Sequence, residues 1–205
     1  LAAVRAEMGI GNAVELLAVD VDNPDSVTQM VEACRVVITT VGPYQLYGDE
    51  LVKQCAERGT DYVDLTGEPS WMHETIAQYS SAAKASGARI VHSCGFDSIP
   101  SDIGVFALQE ALIERDGQPA EDVLMFVLGT SGGVSGGTVA SMLHVIAESS
   151  DPLVRTVLIN PYALDPADAP RGAELRSPRK MRHDQVTGRW GRPIVMAALQ
   201  EHNAR

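Results

Sequence analysis

Four short apolar runs alternate with helical stretches over the first 92 residues, joined by short polar turns. This alternation limits the chain more than any other feature. The runs are Glu15 to Val19, Val36 to Thr40, Tyr62 to Leu65 and Ala88 to His92. The second, Val36-Val37-Ile38-Thr39-Thr40, is almost wholly β-branched, the composition of a strand buried on both faces. It breaks at Gly42-Pro43, where ladder pairing has to stop. The intervening stretches predict helices at Leu1 to Met8, Asn23 to Ala33, Asp49 to Arg58 and Ser70 to Ser86. Asn23-Pro24-Asp25-Ser26 is a helix start, with a capping residue, a proline in the first turn and an acid beside the positive helix end. Gly59 and Gly87 are helix stops.

Strands separated by helices over short loops predict a parallel sheet with right-handed crossovers. The expected class is α/β: an incomplete Rossmann-type parallel sheet, its first β-α-β part missing, followed by part of an α+β second domain. The chain opens in a helical pattern at Leu1 and closes in one from Pro193 to Arg205, so truncation at both ends is expected. The expected domains are residues 1–96, a partial dinucleotide-binding unit, and 97–205, a partial substrate and dimerisation unit. The second unit predicts a helix to about Arg115, a strand at Val123 to Leu128, a helix at Thr138 to Glu148 and a long loop over about 160–192.

In a parallel sheet the strand ends converge on one edge, where ligands bind. That edge gathers Asp20 to Asp22, Thr40 to Tyr44, Thr66 to Glu68 and Cys94 to Asp97. A hydride-transfer site needs a dry wall for the cofactor and a proton donor. Tyr44, Tyr47, Cys94 and Asp97 are the donors near this edge. Tyr44 is the best placed, and Asp97 is the second catalytic candidate. The bland alternative for Tyr44 is an aromatic side chain capping the sheet. For Thr66 to Glu68, binding and ordinary turn chemistry weigh equally.

Two glycine patterns are set aside. Gly9-Ile10-Gly11 lacks a third glycine and runs from helix to strand, the reverse of a dinucleotide fingerprint. Gly129 to Gly137 has no Lys-Ser/Thr pair to make a phosphate loop. Gly133-Val134-Ser135-Gly136-Gly137 does match a nucleophile elbow, with Asp151 or Asp165 and His183 or His202 downstream. This gives a rival, a serine hydrolase using Ser135. Against it, several residues separate Ser135 from the expected strand, and no oxyanion loop lies upstream.

The net charge of −11 opposes nucleic-acid binding. No run of 18 apolar residues spans a membrane. The cysteines Cys34, Cys55 and Cys94 are odd in number and scattered, which suits a reducing cytosol. Cys34 and Cys55 read as small buried hydrophobes. The five histidines show no metal-ligand spacing, so no metal site is expected.

Val41-Gly42-Pro43-Tyr44 with Tyr47-Gly48, Tyr62-Val63-Asp64-Leu65-Thr66-Gly67-Glu68, and Cys94-Gly95-Phe96-Asp97-Ser98-Ile99-Pro100-Ser101-Asp102 together resemble the saccharopine dehydrogenase-like family. More narrowly they resemble its actinobacterial trans-acting enoyl reductase branch, which Ser135-Gly136-Gly137-Thr138 with Ala140-Ser141 also fits. The resemblance covers roughly residues 1–160. It implies an NADP(H)-dependent oxidoreductase that reduces an enoyl double bond on a lipid or polyketide acyl chain carried by a separate synthase. By the same resemblance, Asp20 and Val21 flank the adenine, and Thr40, Val41, Gly42 and Pro43 line the ribose and nicotinamide side. Gly95, Phe96 and Asp97 lie at the crossing into the second domain. Ser135, Gly136, Gly137 and Thr138 face the cofactor from there. It further implies a homodimer, in the cytoplasm and peripheral to the inner face of the plasma membrane.

The basic residue that would select NADP over NAD is not among the residues read, which leaves NAD(H) open. The glycine motif of the family's first strand is absent as well. A half-built cofactor site with weak or absent turnover is therefore expected. A non-catalytic scaffold that kept the fold is the second reading.

Overall fold

The computed structural model describes residues 1–11, 13–96, 98–121, 123–127, 129, 131–133, 135–160, 162–166, 168–169 and 181–191. Its helices are α1 (Ala2–Glu7), α2 (Pro24–Glu32), α3 (Tyr44–Tyr47), α4 (Asp49–Arg58), α5 (Pro69–Ser86), α6 (Ile99–Asp116), α7 (Gly136–Glu148) and α8 (Pro152–Ile159). Its strands are β1 (Val36–Ile38), β2 (Asp61–Val63), β3 (Ile90–Val91), β4 (Arg182–Asp184) and β5 (Arg189–Gly191).

The strands β1, β2 and β3 form a parallel sheet in that order, joined through α4 and α5. This is the expected α/β architecture. Val37 pairs with Tyr62, and Tyr62 with Ile90, so these side chains share one face. That face is covered. Val37 and Tyr62 pack with Val27 and Val31 of α2, Val52 and Cys55 of α4, and Trp71 and Met72 of α5. The other face carries Val36, Ile38 and Val91, all exposed; Ile38 is 77% open.

The local causes match the sequence. Asn23 Oδ1 accepts hydrogen bonds from the amides of Asp25 (3.1 Å) and Ser26 (3.3 Å), which are unpartnered at a helix start. Gly59 and Gly87 close α4 and α5 in the left-handed region, at φ 78° and 84°, where a Cβ is disfavoured.

Several elements differ from expectation. Residues 15–19 form no strand. A strand needs a ladder partner, and this segment pairs with none among the described residues, although Val19 packs on the core. Residues 123–127, expected as a strand, are irregular for the same reason. The expected 160–192 loop contains the antiparallel hairpin β4–β5, in which His183 pairs with Trp190. Residues 170–180 of that loop and the expected helix at 193–205 lie outside the described residues. Two helices were not anticipated. Of these, α3 is four residues long, and α8 starts at Pro152 behind an Asp151 cap. No helix among the described residues is long and apolar enough to cross a membrane.

Candidate functional site

The sheet register brings the ends of β1, β2 and β3 to one edge. After β1, Thr40 and Val41 are exposed, Gly42 is half-buried, Pro43 is buried and the Gly42–Pro43 peptide is cis. After β2, Leu65 is exposed. After β3, Gly95 is half-buried and Phe96 is 72% exposed. A Cβ added to Gly95 would stand 3.0 Å from the Leu65 Cβ, so the second and third loops touch. Val41, Leu65 and Phe96 thus place apolar surface along the edge.

Beneath it lies a buried polar network, centred on Asp64. The Asp64 carboxylate accepts from the Tyr62 hydroxyl (2.9 Å), His92 Nδ1 (2.7 Å), the Thr66 amide (3.0 Å) and the Ser93 amide (2.8 Å). A carboxylate only accepts, so the proton on this side of the His92 ring is assigned to Nδ1. His92 Nε2 lies 3.1 Å from Thr75 Oγ1. Burial first, and then the Asp64 charge, push the Tyr62 phenol far up, which keeps it a donor. Ser93 takes φ 58°, a region that residues with a Cβ seldom adopt. It is held there by its amide bond to Asp64 and by its hydroxyl, which donates to Thr66 O at 2.8 Å. This turn aims the chain at Cys94 and Gly95.

A second carboxylate, Glu68, supports the β1 loop. It accepts from the amides of Tyr44 (3.0 Å) and Gln45 (2.9 Å), the first residues of α3, and from the Ser141 hydroxyl of α7 (2.8 Å). Through Ser141, α7 abuts the Gly42 turn, where an added Cβ would lie 3.4 Å from Ser141 Oγ.

The individual candidates fall out as follows. Tyr44 is buried against Trp71 with ring centroids 5.5 Å apart. Its hydroxyl donates to Thr39 O (3.3 Å) and accepts from the Leu65 amide (3.4 Å). Burial pushes its phenol up to about 12. The proton-donor role expected of Tyr44 does not fit this setting, because both sides of the hydroxyl are taken by backbone. The side chain instead pins the end of β1 to the end of β2. Asp97 lies outside the described residues. Asp20 is exposed with local bonds, its amide donating to the Ser26 hydroxyl and its carboxylate accepting from Asp22 N. Val21 beside it is half-buried.

Ser135 caps α7. Its Oγ accepts from the Thr138 amide (3.1 Å) and lies 2.9 Å from the Thr138 hydroxyl. Among the described residues no strand runs into it and no histidine bonds it, so the elbow geometry required of a nucleophilic serine is missing. Gly136, Gly137 and Thr138 form the exposed first turn of α7.

Cys55 and Cys94 are not activated either. The Cys55 thiol is pushed up to about 12 by burial, and Cys94 is raised by burial and then by Asp64. Among the described residues no group of His, Cys, Asp and Glu could hold a metal.

Asp64 and Glu68 carry the edge; reading the sequence gave Asp64 no role and left Glu68, within the Thr66–Glu68 loop, evenly between binding and turn chemistry. The available signal was two acids in a turn directly after a buried strand, flanked by Tyr62 and Thr66.

The edge offers an apolar shelf with close backbone approaches, a surface on which a flat aromatic ring can lie. The four loops contain no lysine or arginine, so they offer no charged partner for a phosphate.

Residues 2–91 match the family described as the saccharopine dehydrogenase NADP binding domain. The chain is 43% identical over 206 residues to the candidate trans-acting enoyl reductase Rv2449c of Mycobacterium tuberculosis, covering 95% of this chain and 48% of the relative. It is 38% identical over 218 residues to a trans-acting enoyl reductase of Mycobacterium bovis, covering all of this chain and 51% of the relative. A Mycobacterium leprae protein of the same name is 37% identical over 212 residues, covering 98% of this chain and 50% of the relative. The chain therefore spans about half the length of the curated relatives it matches. No solved structure matches it. Residues 2–91 thus match the saccharopine dehydrogenase NADP-binding domain, and over nearly its whole length the chain is similar to mycobacterial trans-acting enoyl reductases.

Proposed function

We propose that the protein works as an NADPH-dependent reductase of an enoyl double bond in a lipid or polyketide acyl chain. The observation that carries this is the strand-end edge. Three loops of an NADP-binding domain present apolar surface and a glycine turn, and α7 is seated against the same turn. When bound, NADPH supplies the hydride. The chain's own residues line and orient. Thr40, Val41, Gly42 and Pro43 with Gly95 and Phe96 hold the nicotinamide side, and Asp20 and Val21 flank the adenine. Ser135, Gly136, Gly137 and Thr138, at the start of α7, form the substrate loop that faces the cofactor from the second unit. Asp97, the residue after Phe96 in the sequence, is the proposed source of the proton that completes saturation.

Residues 1–96 and 97–205 are the proposed cofactor and substrate units. The acyl chain is proposed to arrive on a separate polyketide synthase, as the trans-acting name of the relatives suggests. The exposed Leu143, Ile146, Leu153 and Ile159 of α7 and α8 are consistent with a homodimer and with a cytoplasmic protein resting on the inner face of the plasma membrane.

The test is loss of NADPH absorbance when the protein is mixed with an enoyl thioester carried on an acyl carrier domain. Saturated product is expected. Binding of NADPH without oxidation would favour a scaffold, and no binding of NADPH or NADH would remove the proposal.

Tyr44 enters this reading as a wedge. Tyr44→Phe is expected to keep turnover within about twofold while lowering unfolding stability by about 1 kcal/mol, the net worth of a hydrogen bond. Roughly hundredfold slower turnover with an unchanged urea midpoint would instead restore Tyr44 as the proton donor.

A further inference from the structure

Glu68 is fully buried, and the partners of its carboxylate include no lysine or arginine. A buried carboxylate without a counter-charge persists only where donors replace its water. Here the donors come from two parts of the chain. The amides of Tyr44 and Gln45 open α3, and Ser141 stands on α7. A second tie runs parallel to the first, because Gln45 Nε2 donates to Glu148 Oε1 at 2.7 Å. Ser141 and Glu148 are seven residues apart, two helical turns, and so share one face of α7. His144 lies on that face as well, with Nε2 3.4 Å from Glu148 Oε1. The contact between α7 and the β1-end turn is thus built from polar groups, while Leu143 and Ile146 of α7 remain exposed.

We infer that Glu68 is a positioning residue that couples the Thr40–Gln45 turn to α7, and so sets the spacing between the nicotinamide wall and the Ser135–Thr138 loop. This rests on the cofactor reading proposed above. Glu68 touches no reacting atom. Its oxygens are occupied, and it acts through the two elements it joins. A glutamine in its place turns one acceptor into a donor, which in either orientation faces an amide of α3, so the joint between α3 and α7 loses a bond at its α3 side.

Two measurements on the whole chain test this. One is hydrogen exchange at the Tyr44 and Gln45 amides and along α7. The other is the dissociation constant for NADPH, set beside that for 2′,5′-ADP, which has no nicotinamide. Glu68→Gln is expected to speed exchange in both segments. It should weaken NADPH about tenfold, the size of one charge-assisted hydrogen bond, while changing 2′,5′-ADP less than about twofold. Ser141→Ala, which decides the matter should Glu68→Gln fail to fold, is expected to speed exchange in α7 and leave Tyr44 and Gln45 protected. Unchanged exchange in α7 in both variants overturns the inference. Equal weakening of both nucleotides also overturns it, since that marks a merely structural role. If the unaltered protein binds neither nucleotide, the cofactor reading falls, and exchange alone decides whether Glu68 couples the two elements.

Discussion

Asp64→Ala is expected to lower the unfolding free energy by about 3–5 kcal/mol, the cost of breaking a buried, charge-bearing hydrogen-bond cluster. Four donors meet on this carboxylate: the Tyr62 hydroxyl, His92 Nδ1, and the amides of Thr66 and Ser93. Tyr62, Thr66 and Ser93 are buried, so water cannot readily replace the lost acceptor. The Ser93 amide bond also helps to hold that residue at positive φ. Its loss should release the β3-end loop that carries Gly95 and Phe96. Urea unfolding of the variant checks the magnitude, and faster amide exchange at Ser93 and Cys94 checks the location. A loss below about 1 kcal/mol would show that the network contributes little beyond its packing.

Gly48→Ala is expected to destabilise by about 1–3 kcal/mol, the range for forcing extra volume into a filled core. Gly48 links α3 to α4, and the Trp71 indole packs directly over it. An added Cβ would lie 2.7 Å from Trp71 Cζ2 and 2.8 Å from the Tyr44 carbonyl oxygen. The indole could shift, but the carbonyl is backbone and accepts the Gly48 amide at 2.6 Å. Displacing it moves α3 and its bonds to Glu68, so NADPH affinity should fall together with the unfolding midpoint. An unchanged midpoint in thermal unfolding would mean that the turn is looser than these distances imply.

Much of the first 116 residues was legible in the chain itself. The caps at Asn23, the stops at Gly59 and Gly87 and the β-branched run of β1 act within a few residues of themselves. Their effect can therefore be read locally. The strand ends were legible as a group, because parallel pairing through helical crossovers leaves little choice of edge. Residues 15–19 show the limit. They have strand composition but form no strand, because a strand also needs a neighbour. Tyr44 shows another. A tyrosine after a strand-end Gly-Pro reads as a donor facing a ligand, but its ring turned inward onto Trp71. Ser135 matched a motif in sequence and became a helix cap in space.

The sequence alone determined that this chain builds a parallel α/β sheet with its polar loops on one edge, since period, caps and turn residues are local properties of the chain. It also carried the motifs by which the chain resembles the saccharopine dehydrogenase-like family. The tertiary structure decided which polar residues matter there. Asp64 joins Tyr62 to His92 and Ser93, about thirty residues on. Glu68 joins α3, twenty-four residues back, to Ser141, seventy-three residues ahead. Contacts over such separations depend on how layers pack, and a buried carboxylate reveals its role only when its donors are seen around it.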